Sequence, residues 1–169
     1  MFSGPAHRVY LLGNPILFWS LLGLKFTFLL LWLGFSVCNK RGIIFNKLFS
    51  TYTDRVMKVC WWLLWAWFLH YAPFWTMGRV LYFHHYFPAF LFSAMFGGVM
   101  LDFLLTLVCL SVPSRLARHV FTGGLTLILA VMALSFYLFY PLVYGMSGST
   151  SGDKDSIMYG LKWLESWDF

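Results

Sequence analysis

Four long and almost charge-free apolar runs constrain this chain more than any other feature: residues 15–38, 57–75, 88–111 and 120–140. At about 1.5 Å of rise per residue, a helix of about 20 residues crosses the roughly 30 Å hydrocarbon core of a bilayer. Lipid offers the backbone no hydrogen-bond partners, so such runs fold as helices. The composition agrees: 60% of the 169 residues are apolar and 11% are charged, against about 25% charged in a soluble domain. Mean hydropathy is +0.73. Nineteen Phe, nine Trp and nine Tyr suit lipid-facing helices with interfacial aromatic belts. The expected fold is an all-α membrane protein of one domain, residues 1–169, with four transmembrane helices and a C-terminal amphipathic helix.

Local signals place the elements. Asn14 is a good N-cap and Pro15 a good first helical residue, since the N–H that proline lacks would have been unpaired there. Lys25 interrupts the first run near mid-span, where a cation costs on the order of 3 kcal/mol unless paired. Residues 39–58 carry Lys40, Arg41, Lys47, Arg55 and Lys58 beside Ile43, Ile44 and Phe45, and read as a basic connection, either a segment lying on the membrane or an ordinary loop. The second run holds His70, read as a packing or hydrogen-bonding residue, and is expected to reach Trp75, with Pro73 kinking or ending it. Pro88 is expected to start the third run, which contains Asp102, and Pro113 to close it. Residues 114–119 read as a short connection. Thr122, Gly123 and Gly124 in the fourth run permit close helix contact; Pro141 and Gly145 end it. After a Ser/Gly-rich linker, Asp155 caps an expected tail helix over residues 155–167, with Ile157, Met158, Leu161, Leu164 and Trp167 at helical spacing.

The net charge of +6 is a topology signal. Five Lys/Arg fall in the first connection, two in the third and only Arg79 in the middle one. The positive-inside rule sends the first and third to the cytosol, and both termini and the middle turn to the opposite face, the lumen or exterior. The basic residues do not alternate with aromatics on a soluble face, which speaks against nucleic-acid binding. Cys38, Cys60 and Cys109 have no metal-ligand spacing, and no metal is expected. Lys25 lies ten residues from Pro15 and Asp102 fourteen from Pro88, depths of roughly 15 and 21 Å. The two are expected to face the bundle interior as a buried charge pair.

The middle turn, His70 to Phe90, gathers most of the polar chemistry. Arg79, His84, His85 and Tyr86 would sit there at head-group depth between aromatic walls. Three readings fit: a phosphate head-group site in which Arg79 forks onto phosphate oxygens, a metal site at His84 and His85, or an aromatic belt that packs neighbouring domains. Adjacent histidines point about 100° apart on a helix, which disfavours the metal.

The motifs Leu-Leu-Gly-Asn-Pro at 11–15, His-Tyr-Ala-Pro-Phe at 70–74, Met-Gly-Arg at 77–79 and His-His-Tyr-Phe-Pro-Ala at 84–89 resemble the C-terminal membrane region of protein O-mannosyltransferases. The tail, Tyr-Gly-Met-Ser-Gly at 144–148 and Gly-Leu-Lys-Trp-Leu-Glu-Ser-Trp-Asp-Phe at 160–169, is most similar to the second subunit type of the animal enzymes. The resemblance implies the C-terminal part of a GT-C fold in the endoplasmic reticulum membrane. It implies mannose transfer from dolichyl phosphate mannose to Ser/Thr of lumenal proteins, with a second transferase subunit as heterodimer partner. The donor is a substrate, and no cofactor is implied. The family's Asp-Glu pair has no counterpart among the six acidic residues here, no two of which are adjacent. The chain is therefore expected to lack the MIR domain and the catalytic carboxylates, and to be inactive alone. Without the resemblance, the residues also fit a non-enzymatic membrane protein that assembles with a full-length transferase, or a four-span transporter element.

The charge count makes a direct prediction. A glycosylation sequon placed within residues 148–153, far enough from the membrane to be reached, is expected to be glycosylated, and one placed within residues 40–55 to stay unmodified. The reverse pattern in a gel-shift assay overturns the topology.

Overall fold

The computed structural model describes residues 14–76, 83–144 and 154–165. Four helices follow in order: α1 Pro15–Lys40, α2 Lys47–Thr76, α3 Phe83–Leu110 and α4 Ser114–Tyr144. No strand occurs among the described residues. Pro15–Lys40, His85–Leu110 and Ser114–Pro141 are each long and apolar enough to cross a membrane. α2 has the length, but Lys47, Asp54, Arg55 and Lys58 in its first half and the polar N–H and O–H groups of its Trp and Tyr side chains make it less apolar.

The chain divides into two compact units, residues 19–126 and the two ends, residues 1–18 with 127–169. In the first unit, Phe28 of α1, Cys60 of α2 and Phe96, Met100 and Phe103 of α3 are completely buried. Phe28 meets Trp61 edge-on at 5.4 Å and Phe96 at 5.6 Å, a geometry worth about 0.5–1.5 kcal/mol per pair beyond area burial. Lipid tails are as apolar as leucine, so association here depends on close packing rather than on escape from water. Gly97 of α3 admits the Leu21 side chain into the space its own Cβ would fill, and a Cβ on Gly124 of α4 would lie 2.7 Å from Leu105 Cδ2. Gly124 thus gives the close approach expected of the Thr122–Gly124 stretch, whereas Gly123 faces open space.

Helix ends explain where the boundaries depart from expectation. α1 closes with Gly42 in the left-handed region (φ 73°), Ile43 N donating to Cys38 O at 3.1 Å and Gly42 N to Asn39 O at 3.1 Å. This paired closure satisfies carbonyls that the helix end would leave bare. Asn46 then caps α2, its side-chain oxygen accepting from Leu48 N at 2.9 Å. The basic connection is therefore only residues 41–46; residues 47–58, expected within it, are the first three turns of α2. At about 45 Å, α2 is longer than the roughly 30 Å core of a bilayer, with its charged residues gathered in its first half. Likewise α3 begins five residues before Pro88, and Ser114–His119 form the first turns of α4 rather than a link. Pro73 and Pro141 do not end their helices. A proline removes one backbone bond, and an apolar run bounded by lipid still has more to gain from continuing as helix.

In the second unit, Asn14 caps α1 as expected: its Oδ1 accepts from Leu17 N at 3.1 Å and also from Ser135 Oγ at 2.6 Å. Its Nδ2 reaches Met132 O at 3.5 Å, so one side chain both starts α1 and ties it to α4. The expected tail helix is absent: residues 154–165 form turns, with Gly160 at φ 76°. Glycine costs about 1 kcal/mol inside a helix, and here it takes a left-handed conformation that no right-handed helix contains. Met158 is buried and Trp163 packs edge-on against Phe139 at 4.9 Å, while neighbouring Ile157 is exposed. Gly145, the linker at 146–153 and the tail from residue 166 lie outside the described residues.

The Gly97 contact is testable. Gly97→Ala is expected to destabilise the chain by about 1–3 kcal/mol through overpacking against Leu21, and Gly98→Ala, whose Cβ meets nothing within 4 Å, to cost clearly less. Unfolding in mixed micelles followed by circular dichroism measures both.

Candidate functional site

The polar chemistry of the first unit lies along the seam of α1, α2 and α3. Lys25, ten residues into α1, is 6% exposed. Its Nζ donates to Ser93 Oγ at 2.9 Å and, at the limit of bonding distance, to Leu21 O at 3.5 Å. It also sits 4.6 Å from the centre of the Trp67 ring, close enough for a cation–π attraction of about 0.5–2 kcal/mol. All these partners are neutral. Among the described residues no carboxylate pairs with Lys25.

The expected Lys25–Asp102 pair is not formed. Asp102 is exposed and accepts a hydrogen bond from Tyr52 Oη at 3.3 Å. The reason is helix register. Because α3 starts at Phe83 rather than Pro88, the residue ten positions along it, level with Lys25, is Ser93. Asp102 lies nine residues further, roughly 13 Å down the axis.

From Lys25 a ladder of rings leads to the end of the bundle that carries the middle turn. Trp67 stacks on Tyr71, one turn along α2, at 5.4 Å, and Tyr71 meets Tyr86 of α3 edge-on at 5.3 Å. His85 packs its ring against Phe74 at 5.9 Å. These contacts hold the last turns of α2 beside the first turn of α3. There the positive end of the helix dipole favours an anion, and α3 has no acidic residue in its first turn. Of the four candidates in the turn, His85 and Tyr86 are thus brought to one place, both half-buried. His84 lies in the same helical turn, its side chain outside what is described, and Arg79 lies outside the described residues. His70 turns away: its Nδ1 meets Ala66 O at 2.8 Å and its ring lies 4.9 Å from Phe92, the packing role expected of it. No three His, Cys, Asp or Glu gather to hold a metal among the described residues.

Sequence reasoning missed Ser93, Trp67 and Tyr71. The i, i+4 spacing of Trp67 and Tyr71 was a signal that they share a face of α2. Ser93 is a lone hydroxyl in an apolar run, and its pairing with Lys25 depends on where α3 begins.

Residues 1–167 match the family described as the C-terminal four TMM region of protein-O-mannosyltransferase. Protein O-mannosyl-transferase 2 of Danio rerio is 43% identical over 164 residues, covering 96% of this chain and 22% of the relative. The protein of the same name in Drosophila pseudoobscura pseudoobscura is 37% identical over 201 aligned residues, covering 99% and 26%. Dolichyl-phosphate-mannose–protein mannosyltransferase 6 of Saccharomyces cerevisiae is 38% identical over 103 residues, covering 61% and 12%. The chain thus spans about a quarter of the length of the animal relatives. No solved structure matches.

The neutral surroundings of Lys25 generate a double-mutant prediction. Ser93→Ala is expected to cost about 1.5–3 kcal/mol, because it removes an acceptor from a buried cation. Lys25→Met is expected to be neutral or stabilising, and in its background Ser93→Ala should cost almost nothing. Equal costs of Ser93→Ala in both backgrounds, measured by unfolding in mixed micelles, would show that the contact contributes nothing.

Proposed function

The chain belongs to the protein O-mannosyltransferase family, and from that membership we propose that it forms the C-terminal membrane domain of an enzyme that moves mannose from dolichyl phosphate mannose to Ser and Thr hydroxyls of proteins in the endoplasmic reticulum lumen. The match to the family's C-terminal membrane region over residues 1–167 carries the reading. In it, α2 is the fourth membrane crossing, aided by its Trp and Tyr at the interfaces. The helices form part of a GT-C fold, and both termini face the lumen.

The turn between α2 and α3 is then the part of the donor frame that this chain supplies. Arg79 takes the donor phosphate through its two-pronged guanidinium. His84 and His85 add donors from the first turn of α3, and Tyr86 joins the aromatic wall that keeps the phosphate from water. The prenyl chain of the donor lies along the apolar helices. Activation of the acceptor hydroxyl needs a carboxylate or imidazole at the reacting oxygen. These 169 residues contain no adjacent acidic pair, so the reacting carboxylates belong elsewhere in the complete enzyme, with a second transferase subunit as its partner. The chain alone does not transfer mannose.

The test is a complete transferase carrying Arg79→Ala or Arg79→Lys, assayed with dolichyl phosphate mannose and a Ser/Thr peptide. Arg79→Ala is expected to raise the apparent KM for the donor by about tenfold or more, the loss of one charge-assisted contact, and to leave peptide KM unchanged. Arg79→Lys should fall between it and wild type. Wild-type turnover with wild-type donor KM removes Arg79 from the site.

A further inference from the structure

The cations of the first unit gather at the end of the bundle opposite the middle turn, where α1 stops at Lys40, α2 begins at Lys47 and α3 stops at Leu110. Residues 40–58 hold five Lys and Arg and one acidic residue, Asp54. Lys47, Thr51 and Arg55 recur at i, i+4, i+8 and so share one face of α2. With Leu48 and Tyr52 they line a recess of about 400 Å³. Asp54 does not line it, and among the described residues neither Lys47 nor Arg55 pairs with a carboxylate. Thr51 lies four residues, roughly 6 Å, from each cation, within reach of an extended Lys or Arg side chain. Two cations can thus converge on one group beside a hydroxyl donor.

An apolar recess adjoins this cationic one. Leu48 and Tyr52 also wall a second space of about 620 Å³, which Phe49 of α2 and Thr106 and Leu110 of α3 complete. Its rim is bare, Leu48 being 82% and Leu110 64% exposed. The surroundings hold both recesses in shape. Phe35 of α1, Phe45 of the link and Phe49 of α2 meet pairwise at 5.9, 6.1 and 5.8 Å. Tyr52 donates to Asp102 and packs its ring against Phe103 at 5.8 Å. A positive-inside bias needs only a number of charges, wherever they fall in the connection. It does not call for two cations on one recess with an apolar recess beside it.

We propose that this end of α2 and α3 binds one anionic phospholipid, its phosphate against Lys47, Thr51 and Arg55 and an acyl chain along Leu48, Phe49 and Leu110. Charge and depth select this occupant. α1 and α3, both long and apolar enough to cross a membrane, end here, so the recesses lie where head groups meet chains. Basic residues at such a surface attract anionic lipid by about 1 kcal/mol each, and Arg55 can fork onto phosphate oxygens. A zwitterionic head group brings an ammonium as well, for which the cationic recess has no carboxylate. A soluble phosphate compound would leave the apolar recess empty and Leu48 and Leu110 in water. The site holds whichever side of the membrane this end faces, and it does not depend on Arg79 or the donor, which belong to the other end of the bundle.

The experiment mixes the full 169-residue chain in detergent micelles with phosphatidylserine or with phosphatidylcholine of the same acyl chains, and counts bound lipid by native mass spectrometry. One phosphatidylserine is expected to bind at least about tenfold more tightly than phosphatidylcholine. Lys47→Gln with Arg55→Gln should remove most of that preference, and Lys47→Arg with Arg55→Lys, which keeps both charges, should retain it. Lys40→Gln with Arg41→Gln, an equal loss of charge outside the recess, should change it by less than about twofold. Leu110→Gln, which leaves the cations in place, should weaken both lipids and keep their ratio; it decides the matter if the Lys47 and Arg55 variants lose helicity. Glycerophosphoserine, the head group without chains, should not displace the lipid at equal concentration. Equal binding of the two lipids, a preference that survives Lys47→Gln with Arg55→Gln, or the same loss from the Lys40 and Arg41 pair overturns the proposal. So does unchanged lipid binding in Leu110→Gln, or displacement by glycerophosphoserine, which would make the recess a site for soluble phosphate esters.

Discussion

In hydrocarbon a backbone N–H or C=O without a partner costs several kcal/mol, and most of this structure can be derived from that cost. It makes helices of the apolar runs and sets how they end. Asn14 and Asn46 close the first turns of α1 and α2 with side-chain oxygens, and Gly42 closes the last turn of α1 by turning left-handed. It also explains why Pro73, Pro88 and Pro141 are found within helices. In water a proline signals an exit, because solvent takes up the freed groups; in lipid an exit frees more groups than the proline does.

Against this background Lys25 stands out. A cation near the middle of a span costs on the order of 3 kcal/mol, and a hydroxyl and two aromatic faces stabilise it without neutralising it. Nothing in the packing of α1 requires a lysine there. Leu21 and Phe28 on the same helix are buried against neighbours with ordinary apolar contacts. The cost of Lys25 is offset by the bond to Ser93, which ties α1 to α3. The same seam continues through Trp67 and Tyr71 to Tyr86. Ring contacts at about 5 Å, one stacked and one edge-on, thus link Lys25 to the first turn of α3.

The turn end and the Lys25 seam divide the chemistry by depth. At the first turn of α3, Tyr86 packs against Tyr71 and His85 against Phe74 of α2. Further along the bundle, Lys25 is held by Ser93 and the face of Trp67. The yeast relatives are named dolichyl-phosphate-mannose–protein mannosyltransferases, a name that pairs a lipid-linked sugar with a protein acceptor.

The sequence alone determined the helical class, the apolar runs, the Asn14 cap and the family, because each depends on local composition, on spacing or on short motifs that survive without coordinates. It misplaced the starts of α2, α3 and α4 because charged or proline-bearing segments read as links when only their own residues are weighed. Asn46, Phe83 and Ser114 show that they are helix. That error carried through to the charges: five residues of misjudged start on α3 put Asp102 opposite Lys25 on paper, where the fold puts Ser93. The tail failed for the opposite reason, a helical spacing broken by Gly160. Only tertiary structure could decide which helix faces meet, that Gly97 yields its space to Leu21, and that the Trp67 ring meets Lys25. These follow from the rotation and depth of one helix against another, which no single segment encodes.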